Sequence, residues 1–328
     1  MQSYPLLFDP IFKERIWGGE RLRHVLGKKI TSDRIGESWE ISGVNGDVST
    51  VTNGPYQKRL LTDLIDEFDR DFLGDSVVQR FGKAFPILIK FLDARLDLSI
   101  QVHPSDELAQ KRHNSFGKNE MWYILEAEKE AKLIIGFKED VDREIYTDYL
   151  HKNRLTDLLA YHPVAKTDAF YIETGTIHAI GAGIVLAEIQ QTSDVTYRVY
   201  DSNRKDSDGN TRELHTDLAL YALNFDAKST YELQAEVLEE HPLKARSLAR
   251  TSYFKTNEIS LFTSEVIDLE SLDSFVIYIV VEGSAVIYDL AMPEIRVEAS
   301  LGTTLMLPAC FKKIAIETFS CRLLEVFV

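Results

Sequence analysis

Four residues in the middle of the chain carry side chains that can ligate a metal: Gln101 and His103 in LSIQVHP, Glu120 in GKNEMWYIL, and His178 in ETGTIHAIGAG. Along an extended strand Gln101 and His103 point to the same face. The set offers one amide oxygen, two imidazoles and one carboxylate, which suits a single zinc-like divalent ion and leaves a position open for chemistry. The chain has eight histidines, so no one of them argues for a metal by itself. The arrangement does: a QxH pair ends an apolar strand, a carboxylate heads a second strand, and a histidine sits in a glycine-flanked turn. A β-barrel can bring these to one point. An ion held there would stabilise charge developing on an oxygen, as in an enediolate.

Charged groups surround these motifs in unusual places. Lys90 interrupts the apolar run FPILIKFL, where it either needs a partner or reaches solvent from a strand end. Lys118 shares the face of Glu120 if GKNE is already extended, and is otherwise a loop lysine. Glu188, Asp194 and Arg198 in AEIQQTSDVTYRVY fall at even positions, so an unbroken strand projects all three to one side; a turn at Ser193 and Asp194 breaks that register. Arg198 and Arg204 flank YDSN in RVYDSNRK, which reads as a phosphate site or as a solvated hairpin.

The elements that must position these groups are mostly strands, and the fold class is mainly β. The first fifty residues read as short strands joined by glycine turns (RIWGGERL, IGESWEISGVNGD). Helical spacing predicts helices near 58–82, 139–161 and 211–224, with a further turn of helix after His103 capped by Ser105. With 328 residues and 45% hydrophobic content two domains are expected, a metal-binding unit at 1–240 and a C-terminal β unit at 241–328. YILEAE at 123–128 is echoed by YIVVEGSA at 278–285, and ETGTIH at 173–178 by PACFKK at 308–313. Lys313 stands where the first copy has His178, and no QxH precedes it, so the second unit is expected to be a barrel without metal.

A formal charge of -15 and a pI near 5.0 argue against nucleic acid or an anionic membrane as partner. An anionic small molecule has to be drawn in by a few well-placed cations. The two cysteines, Cys310 and Cys321, suit reduced thiols in a cytoplasmic protein, with a disulfide between them the alternative. The charged N-terminal stretch and the apolar run SFVIYIVVEGSAVIYDL, broken by Glu282 and Gly283, predict neither secretion nor a membrane span. The sequence carries no signal for an oligomeric state.

QVHP, GKNEMWYIL, GTIHAIGAG and AEIQQTSDVTYRVYD, with IWGG and GESWEIS upstream, closely resemble the type I phosphomannose isomerases in their short bacterial form. The resemblance runs through residues 5–225; beyond that only the β-rich character and the length agree. It implies a cupin-type (double-stranded β-helix) barrel with helical insertions, a second cupin-like β domain, and one zinc ion, with other divalent metals as alternatives. It implies an enzyme that interconverts mannose 6-phosphate and fructose 6-phosphate through a cis-enediol. Gln101, His103, Glu120 and His178 are then the metal ligands, and Arg198 is the position usually designated catalytic. Lys90, Ser99, Lys118, Glu188 and Asp194 match pocket positions, Arg204 aligns with a basic residue that meets the phosphate, and Trp17 and Glu37 lie in motifs near the same pocket. For the proton transfer, Glu188 and a zinc-bound hydroxide are both reasonable bases, whereas Arg198 serves better as an electrostatic group. The chain departs from many cupins in having Glu173 where they carry a proline two residues before the turn glycine. A sugar-phosphate sensor without turnover and an iron oxygenase are the rival readings; the cations and Gln101 favour the isomerase.

Overall fold

The computed structural model describes every residue of the chain except 203, 206–208, 240 and 242. The inner part of the polar loop 202–210 and the point expected to divide the domains therefore lie outside the described residues. Alternation along the strands decides the architecture. In Ile87–Ala94, Ile87, Ile89 and Phe91 enter one apolar cluster, while Leu92 and Ala94 enter another on the opposite face. Both faces are buried, so this strand reads as an unbroken apolar run rather than an alternating one.

Two sheets form the first barrel. A six-stranded sheet runs in the order Ala169–Ile172, Glu120–Ala127, Ile184–Gln191, Ile87–Ala94, Ile35–Ile41, Ile11–Gly19. A five-stranded sheet runs Leu159–Pro163, Lys132–Phe137, His178–Ile180, Ile100–Val102, Tyr197–Tyr200. Their inner faces meet where Trp122 and Leu186 of the first pack with Leu133, Ile135 and Ile180 of the second. The outer face of the larger sheet, through Met121, Tyr123, Val185 and Ile189, packs on Ile277, Ile279, Leu324 and Val326 of the C-terminal part.

That C-terminal part is a nine-stranded sheet built on two long antiparallel strands, Val276–Asp289 and Lys313–Phe327. It is not made only of C-terminal residues. Leu6–Leu7 pair with Thr304–Leu307, and Glu236–Val237 pair with the strand Ala245–Arg250. Its own interior is apolar, lined by Ile259, Tyr278, Val280, Ile287, Leu305 and Leu323. Lys313 points away from that interior toward Asp268, 3.3 Å distant, with half its side chain exposed. Cys310 and Cys321 are free thiols.

Helices occur where the spacing places them but are shorter. The region 58–82 holds Leu61–Phe68, Arg70–Leu73 and Asp75–Phe81, interrupted at Asp69 and Gly74. Asp273 of the C-terminal part accepts the Asp75 and Ser76 backbone N–H groups at 2.7 and 2.8 Å, capping the last of these from across the domain junction. The stretch 139–161 is helix only over Arg143–His151; a 3-10 turn follows at Leu155–Leu158, and Leu159–Pro163 is a strand, because it pairs with Lys132–Phe137. The third helix is confined to Thr216–Ala222. A short helix, Arg21–Leu26, stands where RIWGGERL suggested strands only, ended by Gly27 at φ 65°. Among the described residues no helix is long and apolar enough to cross a membrane.

The two parts share one core, and Phe275, fully buried with its ring 5.1 Å from that of Phe85, sits at the junction. Phe275→Ala is expected to destabilise the whole protein by about 3–5 kcal/mol. Denaturant unfolding should show a single transition at a lower midpoint; separate transitions, with only one displaced, would mean that the parts fold independently.

Candidate active site

The two sheets of the first barrel deliver the side chains in register. Gln101 is the cross-strand partner of His178 on one side and of Arg198 on the other, so three polar side chains stand in a row on one sheet. On the facing sheet Glu188 lies between Lys90 and Trp122, and Gln190 lies opposite Glu120. One alternating face of each strand looks into the barrel interior, and its open end is a cavity of about 450 Å³, within the usual range for a small-molecule site.

His103, Glu120 and His178 each offer a ligand atom, and these atoms lie within 4.8 Å of one another, all three side chains buried. The imidazoles are fixed from behind. Nδ1 of His103 donates to the Val195 carbonyl at 2.9 Å, and Nδ1 of His178 to the Thr176 carbonyl at 2.8 Å, which turns both Nε2 lone pairs inward. Burial lowers both histidines, His103 well below the ordinary value and His178 to about 4, so they are neutral ligands at neutral pH. The Gln101 side-chain nitrogen lies 3.2 Å from His178 Nε2, so the amide offers its oxygen to this set once it is turned over. Glu120 Oε1 is buried and has no hydrogen-bond partner among the described residues, lying 3.4 Å from His178 Nε2. Two neutral imidazoles, a carboxylate with an unmatched oxygen, and an amide form a donor set that fits a divalent cation.

Beside this set runs a buried chain of alternating charge. Lys118 donates to Glu120 and lies 3.8 Å from Glu188; Glu188 lies 3.1 Å from Lys90; Lys90 lies 3.9 Å from Glu37 and 5.0 Å from the Trp39 ring centroid. Burial pushes Glu188 up, but Lys118 and Lys90 outweigh it and hold the carboxyl at about 2. Glu37 is likewise lowered, against its burial, by Lys90 and Arg15. Burial lowers Lys118, yet Glu120 and Glu188 more than compensate and keep it protonated. Lys90 is thus a paired interior lysine in the middle of its strand rather than one reaching solvent.

The positions expected from the sequence mostly converge. Trp17 and Ser99 are buried in the cavity wall, and Asp194 and Arg198 line it as well. The unbroken-strand reading of Glu188, Asp194 and Arg198 does not hold: the ladder stops at Gln191 and resumes at Tyr197, with Gln190 donating to the Gln191 and Ser193 carbonyls across the break. Arg198 donates to Ser99 Oγ at 3.3 Å and to the Glu213 carbonyl at 2.9 Å. Its pKa is lowered by burial and by Arg212.

Arg204 is the exception: it does not line the cavity, because its guanidinium is tied to Asp201 and to the Asp97 carbonyl. Arg212, from the returning arm of the loop, lines the cavity instead, held by Asp201 at 2.6 and 2.7 Å. Arg15 also lines it and donates to Glu37 at 2.6 Å. Neither was singled out from the sequence; strand parity with Trp17 is the signal that would find Arg15, and Arg212 has none. The segment ETGTIH turns without proline, through the Thr176 N–H to the Glu173 carbonyl at 3.1 Å, with Gly175 at φ 86°.

The chain is similar to known proteins in sequence and in fold. Residues 6–140 match the family Phosphomannose isomerase type I, catalytic domain. The chain is 38% identical over 285 residues to the mannose-6-phosphate isomerase of Bacillus subtilis (strain 168), covering 86% of this chain and 87% of that one. It is 40% identical over 219 residues to the mannose-6-phosphate isomerase of Streptococcus mutans, covering 67% of each. Its structure superimposes on a crystal structure of mannose 6-phosphate isomerase from Bacillus subtilis with a TM-score of 0.89 at 31% identity, covering 100% of both chains.

His178→Ala and Glu120→Gln are each expected to lower the affinity for a divalent ion at least tenfold, since each removes a donor from a preformed set. Elemental analysis after dialysis against a weak chelator checks this; unchanged metal content in both variants would contradict the ligand assignment.

Proposed function

The chain belongs to the type I phosphomannose isomerase family, and from that premise we propose that it is a zinc-dependent, cytoplasmic enzyme interconverting mannose 6-phosphate and fructose 6-phosphate through a cis-enediol. One observation carries the reading: the donor set of His103, Glu120, His178 and Gln101 stands at one end of a row whose other end is Arg198. Two strand spacings of about 4.8 Å separate the His178 and Arg198 strands. That distance, about 10 Å, matches an open-chain hexose phosphate with its carbonyl end at the donor set and its phosphate at the arginines.

His103, Glu120, His178 and Gln101 would hold a zinc ion, which when bound would supply Lewis-acid chemistry at the substrate carbonyl. The remaining work belongs to the chain. Arg198 and Arg212 hold the phosphate, two of the cations that line the cavity in a protein whose net charge is -15. Ser99 keeps the Arg198 guanidinium in place. Trp17 and Leu92 give the cavity an apolar wall that limits water at the reacting carbons.

Glu188 is the base. Its carboxylate is ionised throughout the neutral range, buried, and accepts from the Trp122 indole N–H at 3.0 Å, which fixes its orientation. It removes the proton from C2 of mannose 6-phosphate, leaving a cis-enediolate with its charge on O1. The O2 hydroxyl proton then passes to O1, and Glu188 returns its own proton to C1 as O2 becomes the ketone oxygen of fructose 6-phosphate. Lys118 and Lys90, both beside Glu188, balance its charge and stand ready to stabilise the enediolate.

Glu188→Gln should reduce kcat by roughly 10²–10⁴-fold while metal remains bound, because it deletes the proton acceptor but no ligand. Arg198→Ala should mainly raise KM for the phosphorylated sugar, by ten-fold or more. A coupled assay of hexose phosphate turnover reads both. In heavy water, deuterium should appear at C1 of the fructose 6-phosphate formed. A product that carries only protium after many turnovers would remove the enediol.

A further inference from the structure

The loop that delivers Lys118 and leads into Glu120 has no sheet of its own: residues 116–119 lie outside any strand, and the ladder begins only at Glu120. Its backbone is held by side chains instead. Asp106 Oδ1 accepts the Gly117 N–H at 2.7 Å and the Gln191 side-chain amide at 3.0 Å. Gln191 Oε1 accepts both the Asn119 N–H at 2.9 Å and the Asn119 side-chain amide at 2.7 Å, and the Gln191 N–H donates back to the Asn119 carbonyl at 3.1 Å. Asn119 Oδ1 then accepts the Thr174 N–H at 3.1 Å. The other end of the relay leaves the barrel, where Asp106 Oδ2 accepts the Tyr253 hydroxyl at 2.8 Å.

Each member stands next to a site residue in the chain. Asp106 follows His103 by three residues, Asn119 separates Lys118 from Glu120, Gln191 follows Glu188 by three, and Thr174 opens the turn that ends at His178. Gln191 and Asn119 are almost fully buried, so their polar atoms have no water to fall back on. The fit around Gly117 is close: a Cβ there would lie 2.8 Å from the Asp106 backbone nitrogen and 3.0 Å from Oδ1. Tyr253 sits in a turn of the C-terminal part that is closed by Thr251 bonds to the Tyr253 and Phe254 N–H groups.

We propose that Asp106, Gln191 and Asn119, anchored by Tyr253, are positioning residues that hold the four segments bearing His103, Lys118–Glu120, His178 and Glu188 in one frame. The C-terminal part thereby acts on the site that it does not line. The inference rests on the isomerase reading for its catalytic consequence, but not for its effect on metal affinity.

Gln191→Glu is isosteric yet sets a second carboxylate against Asp106 and deletes the donor between them. Asp106→Ala removes three bonds. Asp106→Asn keeps them, with Oδ1 accepting from Gly117 and Gln191 and the amide donating to the Tyr253 oxygen. Zinc affinity, read by competition with a chromogenic chelator and needing no substrate, should fall about tenfold or more in Gln191→Glu and Asp106→Ala. It should stay within about twofold of the parent in Asp106→Asn, and fall by an intermediate amount in Tyr253→Phe. Where turnover is measured, kcat should fall with affinity while KM stays within about twofold. Should Asp106→Ala fail to fold, the two isosteric variants decide. Parent-like zinc affinity in Gln191→Glu, or equal losses in Asp106→Asn and Asp106→Ala, overturns the relay; parent-like affinity in Tyr253→Phe overturns the anchoring. A parent protein that binds zinc but does not turn over hexose phosphate instead overturns the isomerase reading and leaves these outcomes readable.

Discussion

A buried ammonium between two buried carboxylates is the interaction on which the site depends. Lys118 touches Glu120 and lies 3.8 Å from Glu188, all three nearly or wholly without solvent. Ions so placed are costly unless each has a partner of opposite sign and its remaining lone pairs are met. Lys90 and Glu37 extend the pairing outward, and the Trp122 and Trp39 indoles donate to Glu188 and Glu37. Only Glu120 Oε1 stays unmatched among these carboxylate oxygens, and it faces His178. Among these paired charges the unmet demand is for a cation beside two neutral imidazoles.

Such a cluster needs a rigid frame, and the larger sheet supplies it by being buried on both faces. Its inner parity carries Lys90, Glu120, Trp122 and Glu188, and its outer parity packs on the C-terminal sheet. The outer face also carries one polar tie: the Tyr123 hydroxyl donates to Glu258 at 2.8 Å, and Arg246 pairs with the same carboxylate at 2.6 Å. The C-terminal part therefore closes the back of the strand that bears Glu120, which gives the metal-site strand a dry environment on both sides.

Much of this was legible in the sequence, for local reasons. QVHP and GTIHAIGAG place candidate donor side chains at strand ends and in a glycine turn, where two-residue periodicity fixes the direction of the side chains. FPILIKFL set a lysine where it needed either a partner or a way to solvent, and Glu188 at 3.1 Å is the partner. What escaped was set by distant parts of the chain. Leu159–Pro163 follows a helical pattern without interruption and is a strand because Lys132–Phe137 lies beside it. Arg204 and Arg212 are equally basic, and their different contacts, Arg212 at the cavity and Arg204 on Asp201 and the Asp97 carbonyl, leave no trace in the sequence. The break after Gln191 comes from its side chain being used by Asn119 and Asp106, which no periodicity reveals.

The central claim, that one divalent ion in the His103, Glu120 and His178 set makes this chain an isomerase, is tested most directly by titrating metal-free protein with zinc while following turnover of mannose 6-phosphate. Activity should be absent at the start, rise linearly, and stop rising at one equivalent per chain. Full turnover in the metal-free protein, or a rise that continues well beyond one equivalent, would contradict it.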